Sequence, residues 1–191
     1  MDVSWENLHA EISDCSKCRL CEGRTNVVPG EGNPNADIMF IGEGPGRDED
    51  LQGRPFVGAS GQLLDRMIHA IGMERTEVYI GNVVKCRPPM NRNPEPDEAE
   101  ACMPYLRQQF LLIRPKIIVL LGKVACRYVL KTEAPISALR GSWIERKGIW
   151  FMPTYHPSAL LRDPSKKREA WEDFKAVKAK LKELYGTQES V

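Results

Sequence analysis

Four short apolar runs, ADIMFIG (36–42), EVYIGNVV (77–84), KIIVLLG (116–122) and GIWFMPT (148–154), punctuate the chain, each bounded by glycine, proline or charge. Runs of this length and composition predict strands buried on both faces. Between them, SGQLLDRMIHAIG (60–72), PDEAEACMPYLRQQFLLIRP (96–115) and KVACRYVLKT (123–132) repeat apolar residues every three and four positions, the period of amphipathic helices. Ser60 and Asp97 are the expected caps of two of these, and Gly72 the expected stop of the first. A last helix is expected over 171–186, with Trp171, Phe174, Val177, Leu181 and Leu184 as its packing stripe. Strands alternating with helices predict an α/β fold: a mostly parallel, four-stranded sheet with helices on both faces.

In such sheets ligands bind beyond the carboxyl ends of the strands. Here those ends run into GEGPGRDED, NVVKCRPP, GK and TYHPSALLR, so their Gly, Asn and His residues are expected to converge.

Composition narrows the class. With 191 residues, 42% of them hydrophobic, one core and a single domain over 1–191 are expected. Lys plus Arg number 27 against 26 Asp plus Glu, so any nucleic-acid surface has to be a local patch. No apolar run reaches membrane-spanning length, and MDVSWENLHAEISDC is polar and acidic where a secretory leader would be basic and then apolar. The expectation is a cytoplasmic protein with no membrane partner.

A reducing location gives the six cysteines, at 15, 18, 21, 86, 102 and 126, a metal or redox meaning in preference to a disulfide framework. CSKC sets Cys15 and Cys18 at chelating distance, while Cys86 and Cys102 are single and remote. Structural zinc usually takes two close pairs, whereas a four-iron cluster takes one thiolate per iron, so the spacing favours [4Fe-4S] over zinc. Cys21 extends the motif to C-x2-C-x2-C and competes for a place; Cys126, in an apolar helix, reads as a small buried hydrophobe.

GEGPG and YHPS are weak signals singly, but the ordered set is specific. CSKC, then RTNVVPGEGNPNADIMFIGEGPGRDEDLQGRPFVGASGQLLD, NVVKCRPPMNRNPEPDEAEAC, LLGKVA and YHPSALLR closely resembles the family 4 uracil-DNA glycosylases over about residues 12–175. The resemblance implies a three-layer α/β/α fold, a [4Fe-4S] cluster held by Cys15, Cys18, Cys86 and Cys102, and hydrolysis of the N-glycosidic bond of uracil in DNA. It implies a pocket from Gly42, Glu43, Gly44, Glu49, Phe56, Asn82, Asn91 and His156, with Glu43, Gly44, Asn82 and His156 the catalytic positions. Phe56 matches the aromatic on which uracil stacks, Asn82 the amide that reads N3–H and O4, and His156 the donor to O2, where charge develops. Gly44 and Gly46 stand where family 1 enzymes carry a water-activating aspartate and a methyl-blocking tyrosine; Glu43 is the nearest carboxylate for the water, and Glu49 the expected barrier to the thymine methyl.

The DNA-facing set is Ser158, Leu160, Leu161, Arg162, Lys166 and Lys167, with Leu160 or Leu161 the apolar wedge and Arg168 extending the basic run. The resemblance implies uracil-containing DNA as the partner, and a monomer is expected to meet it. A non-catalytic iron-sulfur DNA-binding module is the alternative, but such a module needs no uracil-shaped pocket.

Overall fold

The computed structural model describes residues 4–186; the single domain expected over 1–191 also takes in 1–3 and 187–191, which lie outside the described residues. Strands β1 (Glu31–Gly32), β2 (Ile38–Gly42), β3 (Tyr79–Asn82), β4 (Ile117–Leu121), β5 (Ile144–Arg146) and β6 (Ile149–Thr154) form one sheet in the order β1-β3-β2-β4-β6-β5. The central four, β3-β2-β4-β6, are mutually parallel and correspond to the four apolar runs. The sheet has six strands where four are expected, because an antiparallel strand is added at each edge. Both are two or three residues long and carry no buried residue, so neither leaves an apolar signature. β5 and β6 are joined by a two-residue turn, Lys147 and Gly148, both at positive φ as a tight hairpin requires.

The helices are α1 (Trp5–Ser13), α2 (Leu20–Gly23), α3 (Arg47–Gln52), α4 (Ala59–Ala70), α5 (Pro96–Ile113), α6 (Lys123–Leu130), α7 (Ile136–Leu139), α8 (Pro157–Arg162) and α9 (Lys167–Gly186). The two-residue alternation of β2 explains the layers. Met39 and Ile41 join Leu8, Leu106 and Ala125 from α1, α5 and α6, while Ile38 and Phe40 join Leu64, Ile68, Phe174 and Val177 from α4 and α9. A sheet covered on both faces has no solvated side, hence its unbroken apolar strands.

Helix ends differ from expectation where loops supply better partners. α4 begins after Gly58, not at Ser60. α5 begins after Glu95, whose N–H donates to the Glu98 carboxylate at 2.8 Å, with Pro96 in the first turn. Asp97 pairs with Arg19 instead. Gly72, at φ 77°, donates to His69 O at 2.8 Å, just past the end of α4.

α4 crosses the Phe56 turn closely. A Cβ on Gly61 would lie 1.9 Å from Phe56 O. Gly61→Ala is therefore expected to cost at least ~2 kcal/mol, a fall of roughly 4–8 °C in Tm by thermal unfolding. An unchanged Tm would contradict this packing.

Candidate active site and thiol cavity

A cleft of about 480 Å³ opens at the carboxyl ends of β2, β3 and β6. Its wall is built from Glu43 to Glu49 after β2, Phe56 with Gly58, Ala59 and Ser60, Asn82 with Pro88 and Asn91 to Asn93 after β3, and His156, Ser158 and Arg162.

The floor depends on a missing side chain. Parallel pairing sets Gly42 of β2 opposite Asn82 of β3, and a Cβ on Gly42 would meet the Phe56 ring at 2.5 Å and Asn82 Oδ1 at 2.6 Å. Asn82 is 2% exposed, and its Oδ1 has no hydrogen-bond partner. A buried unpaired acceptor beside a cleft is costly until a donor reaches it. Phe56 has φ 50°, and its carbonyl accepts from Arg75 Nη1 at 2.8 Å. Arg75 also holds Glu31 and Asp65 at 2.7 and 2.8 Å, so one guanidinium fixes the turn that carries the ring.

His156 is the residue before α8. Its Nδ1 accepts from Ser158 N–H at 3.0 Å and lies 2.8 Å from Ser158 Oγ. A backbone amide can only donate, so in the neutral ring the proton is on Nε2, free to be offered to a ligand. Burial first, then the positive charge of Arg162, lowers the imidazole from 6.5 to about 4, against an opposing effect of Glu49. The ring stacks on Phe56 with centroids 5.5 Å apart and planes at 29°. Gly122, at φ 94°, brings the β4 end against it: a Cβ there would lie 3.0 Å from His156 Cβ.

Glu43 faces the same cleft, and burial raises its carboxyl to about 6 despite the nearby Arg162. Gly44 packs against Val84, which a Cβ would meet at 2.7 Å. The Glu49 carboxylate is saturated by backbone amides: Val57 and Gly58 donate to Oε1 at 2.9 Å each, and Gly46 to Oε2 at 3.1 Å. It clamps the Gly46 turn to the segment after Phe56. Asn91, at φ 56°, accepts from Arg87 Nε at 2.7 Å on the rim.

The two leucines of α8 separate. Leu160 is fully buried with Leu63, Tyr155 and Ala170, so it is unavailable as a wedge, whereas Leu161 is 42% exposed. The Ser158 hydroxyl is turned to His156, a partner the motif alone did not suggest. Lys166 and Lys167 are exposed or partly so and do not line the cleft, with Lys166 3.8 Å from Asp163.

Cys15, Cys18, Cys21, Cys86 and Cys102 line a second, smaller cavity with Arg24 and Lys85. Among the described residues no three Cys, His, Asp or Glu side chains are close enough to hold a single metal ion. A lining that offers five thiols and neither histidine nor carboxylate suits a multi-iron cluster, whose ligands stand further apart than those of one ion. The cavity also holds positive charge: Arg24 Nη1 donates to Cys86 Sγ at 3.3 Å and to Cys15 O at 2.8 Å. Burial pushes the unligated Cys102 thiol up to about 11. Cys126 is buried in the core of α6, away from this lining.

Three further residues tie cavity to cleft, and sequence patterns did not mark them. Lys85, 1% exposed, donates to Asn82 O and to Gln109 Oε1 at 2.8 Å each, and burial lowers its ammonium to about 8. Arg92, on the cleft wall, binds the fully buried Glu98 at 2.7 and 2.9 Å. Glu98 is also 3.7 Å from Arg19, the residue after Cys18. Lysine and arginine in a mixed, proline-rich stretch look like solvated charge; only the burial of Lys85 and the pairing of Arg92 with buried Glu98 distinguish them.

Comparison with known proteins agrees with the motif order. The family model described as "Uracil DNA glycosylase superfamily" matches residues 29–175. The chain is 50% identical over 184 residues to a type-4 uracil-DNA glycosylase of Sulfurisphaera tokodaii, covering 92% of this chain and 84% of that one. It is 46% identical over 182 residues to a type-4 enzyme of Archaeoglobus fulgidus, with 91% and 92% covered, and 43% identical over 183 residues to one of Thermotoga maritima, with 93% and 94% covered.

The two titrating groups of the cleft oppose each other. His156 is kept neutral in the fold, so its contribution to stability is full above 6.5 and is lost as pH falls towards 4. Half-buried Glu43 favours its protonated form, so its cost to stability is full above about 6 and is relieved as pH falls to 4.5. Histidine ring NMR is expected to show His156 neutral, protonated on Nε2 and untitrated between about pH 5 and 8. A ring titrating near 6.5 would refute the assigned environment.

Proposed function

Since the chain belongs to the uracil DNA glycosylase superfamily, we infer that it is a monofunctional uracil-DNA glycosylase, which hydrolyses the N-glycosidic bond of uracil in DNA and leaves an abasic site for base-excision repair. The observation that carries the reading of this cleft is the buried, unpartnered Oδ1 of Asn82. Uracil brings an N3–H donor to that acceptor and an O4 acceptor to the amide's NH₂. Cytosine presents an N3 lone pair and an N4 amine, leaving both Asn82 groups opposed by their own kind, and buried unpaired polar groups are strongly rejected.

Extruding the nucleotide costs a few kcal/mol, least at a mismatch. Stacking on Phe56 offsets ~1–3 kcal/mol of this. As the glycosidic bond lengthens, negative charge collects on the uracil ring and is met at O2 by the His156 Nε2–H. A neutral imidazole suffices as donor, and it is too weak an acid to surrender that proton outright. A sugar with oxocarbenium character is trapped by water, so electrostatic stabilisation of the departing uracil carries most of the barrier reduction. Glu43, ionised above about 6, positions that water, and Gly44, packed against Val84, forms the wall beside it. Glu49 excludes the thymine methyl indirectly, by bracing the Gly46 and Val57–Gly58 walls. Asn91 completes the rim.

On the duplex, Leu161 is the wedge, and Arg162, Lys166 and Lys167 contact phosphates, which makes binding fall with salt. Ser158 serves the site by orienting His156. Cys15, Cys18, Cys86 and Cys102 hold a [4Fe-4S] cluster, and Cys21 stays outside the set. The cluster's contribution is structural: it pins the segment between Cys86 and Cys102, which carries the Pro88–Asn93 rim, to the N-terminal cysteine turn.

Asn82→Ala and His156→Ala are each expected to lower single-turnover uracil release by ~10²–10³-fold or more, while thymine and cytosine duplexes are untouched by any variant. Uracil release by Asn82→Ala at the wild-type rate would overturn the pocket assignment. The acid limb of the rate profile is expected near pH 6 and to disappear in Glu43→Gln, leaving a lower, flatter rate. Chelation of the cluster is expected to expose the 87–101 segment to proteolysis and weaken DNA binding. Normal binding and excision by iron-free protein would remove the structural role.

A further inference from the structure

Met90 is 94% exposed, more than any other large hydrophobic side chain among the described residues. It does not dangle on a loose loop. Met90 and Asn91 both take left-handed backbone, φ 54° and 56°, which turns the tip outward. The turn is closed by Asn91 N–H to Pro88 O at 3.1 Å and Arg92 N–H to Pro89 O at 3.2 Å. Its base is held by Arg87 on Asn91 and by Arg92 on the buried Glu98. A flexible apolar side chain is thus presented to water by a braced backbone, flanked by Arg87 and Arg92. Pro88, Asn91 and Arg92 line the cleft, so Met90 stands on its rim, on a different segment from Leu161 and Arg162 of α8.

We propose that Met90 is a second apolar wedge, which enters the duplex and stacks against the partner-strand base orphaned when uridine is extruded. The proposal rests on the glycosylase reading. Extrusion creates two apolar faces that water covers poorly: the vacancy in the damaged strand and the unpaired base across from it. One exposed leucine cannot cover both, and the cleft rim carries a second apolar tip. Methionine suits that place, because an unbranched thioether adapts to whichever base is left and to the geometry of the kinked step. Arg87 and Arg92 supply charge towards the backbone on either side of the insertion.

The test compares wild type, Met90→Ala and Met90→Leu on one uracil oligonucleotide, single-stranded and in duplex, under single-turnover conditions. Met90→Ala is expected to lower the ratio of duplex to single-strand excision ~10-fold, the loss expected when one apolar side chain is no longer buried, and Met90→Leu to restore most of it. A ratio within about twofold of wild type, or equal losses on both substrates, overturns the proposal. A second measurement places 2-aminopurine opposite a non-hydrolysable 2′-fluoro-uridine. Wild-type binding is expected to change its fluorescence and Met90→Ala to remove at least half of that change; an unaltered change overturns the proposal. If wild type releases no uracil from either substrate, the glycosylase reading fails, and the fluorescence still decides whether Met90 meets the orphaned base.

Discussion

Parallel pairing of β2 with β3 ends with Gly42 beside Asn82, and the rest of the cleft depends on that contact. Any side chain at 42 would occupy the space of both the Phe56 ring and the Asn82 amide. With hydrogen there, an aromatic face and an amide edge can meet one flat ligand at right angles to each other's demands: stacking from one, donor and acceptor reading from the other. The surrounding devices hold these two groups still. Arg75 fixes the left-handed Phe56 turn, Gly61 lets α4 approach it, and Glu49 spends its whole carboxylate on three backbone amides around it.

Electrostatics then assigns distinct tasks to groups that share the cleft. The Ser158 amide fixes the His156 tautomer, and desolvation keeps the ring neutral, so it donates a hydrogen bond without adding a full charge. Desolvation acts oppositely on Glu43, holding it near the point where it changes protonation state. Arg162 lowers both, so one cation at the exposed end of α8 is in electrical contact with His156 and Glu43.

The thiol cavity and the cleft are mechanically one object. Buried Lys85 sits on the Asn82 carbonyl and lines the cavity, while Glu98 gathers Arg92 from the cleft rim and Arg19 from the cysteine turn. Leaving either of the two buried charges, Lys85 or Glu98, unpaired would be expensive, which makes the link stiff. A cluster on the four proposed cysteines would close the same loop from the other side.

Much of this was legible in the chain itself. Unbroken apolar runs such as IMFIG and IIVLL declared strands covered on both faces, and the alternation with helical periods placed the cleft at their carboxyl ends. The motif order then named Asn82, Phe56, His156 and the cysteines together. What periodicity could not carry was anything decided by distant contacts. The edge strands at 31–32 and 144–146 bury no residue and so left no pattern. The start of α4 lies at Gly58, without a capping side chain, and that of α5 at Glu95, paired with Glu98, while Asp97 was claimed by Arg19, 78 positions away. Leu160 and Leu161 are indistinguishable as letters; only the packing of Leu63, Tyr155 and Ala170 buries one and leaves the other in water. Sequence determined which chemistry the chain carries, because that resides in residue type and order, whereas burial, tautomer and the outward turn of Met90 were decided by the tertiary structure, because each is a property of neighbours that the chain brings together only by folding.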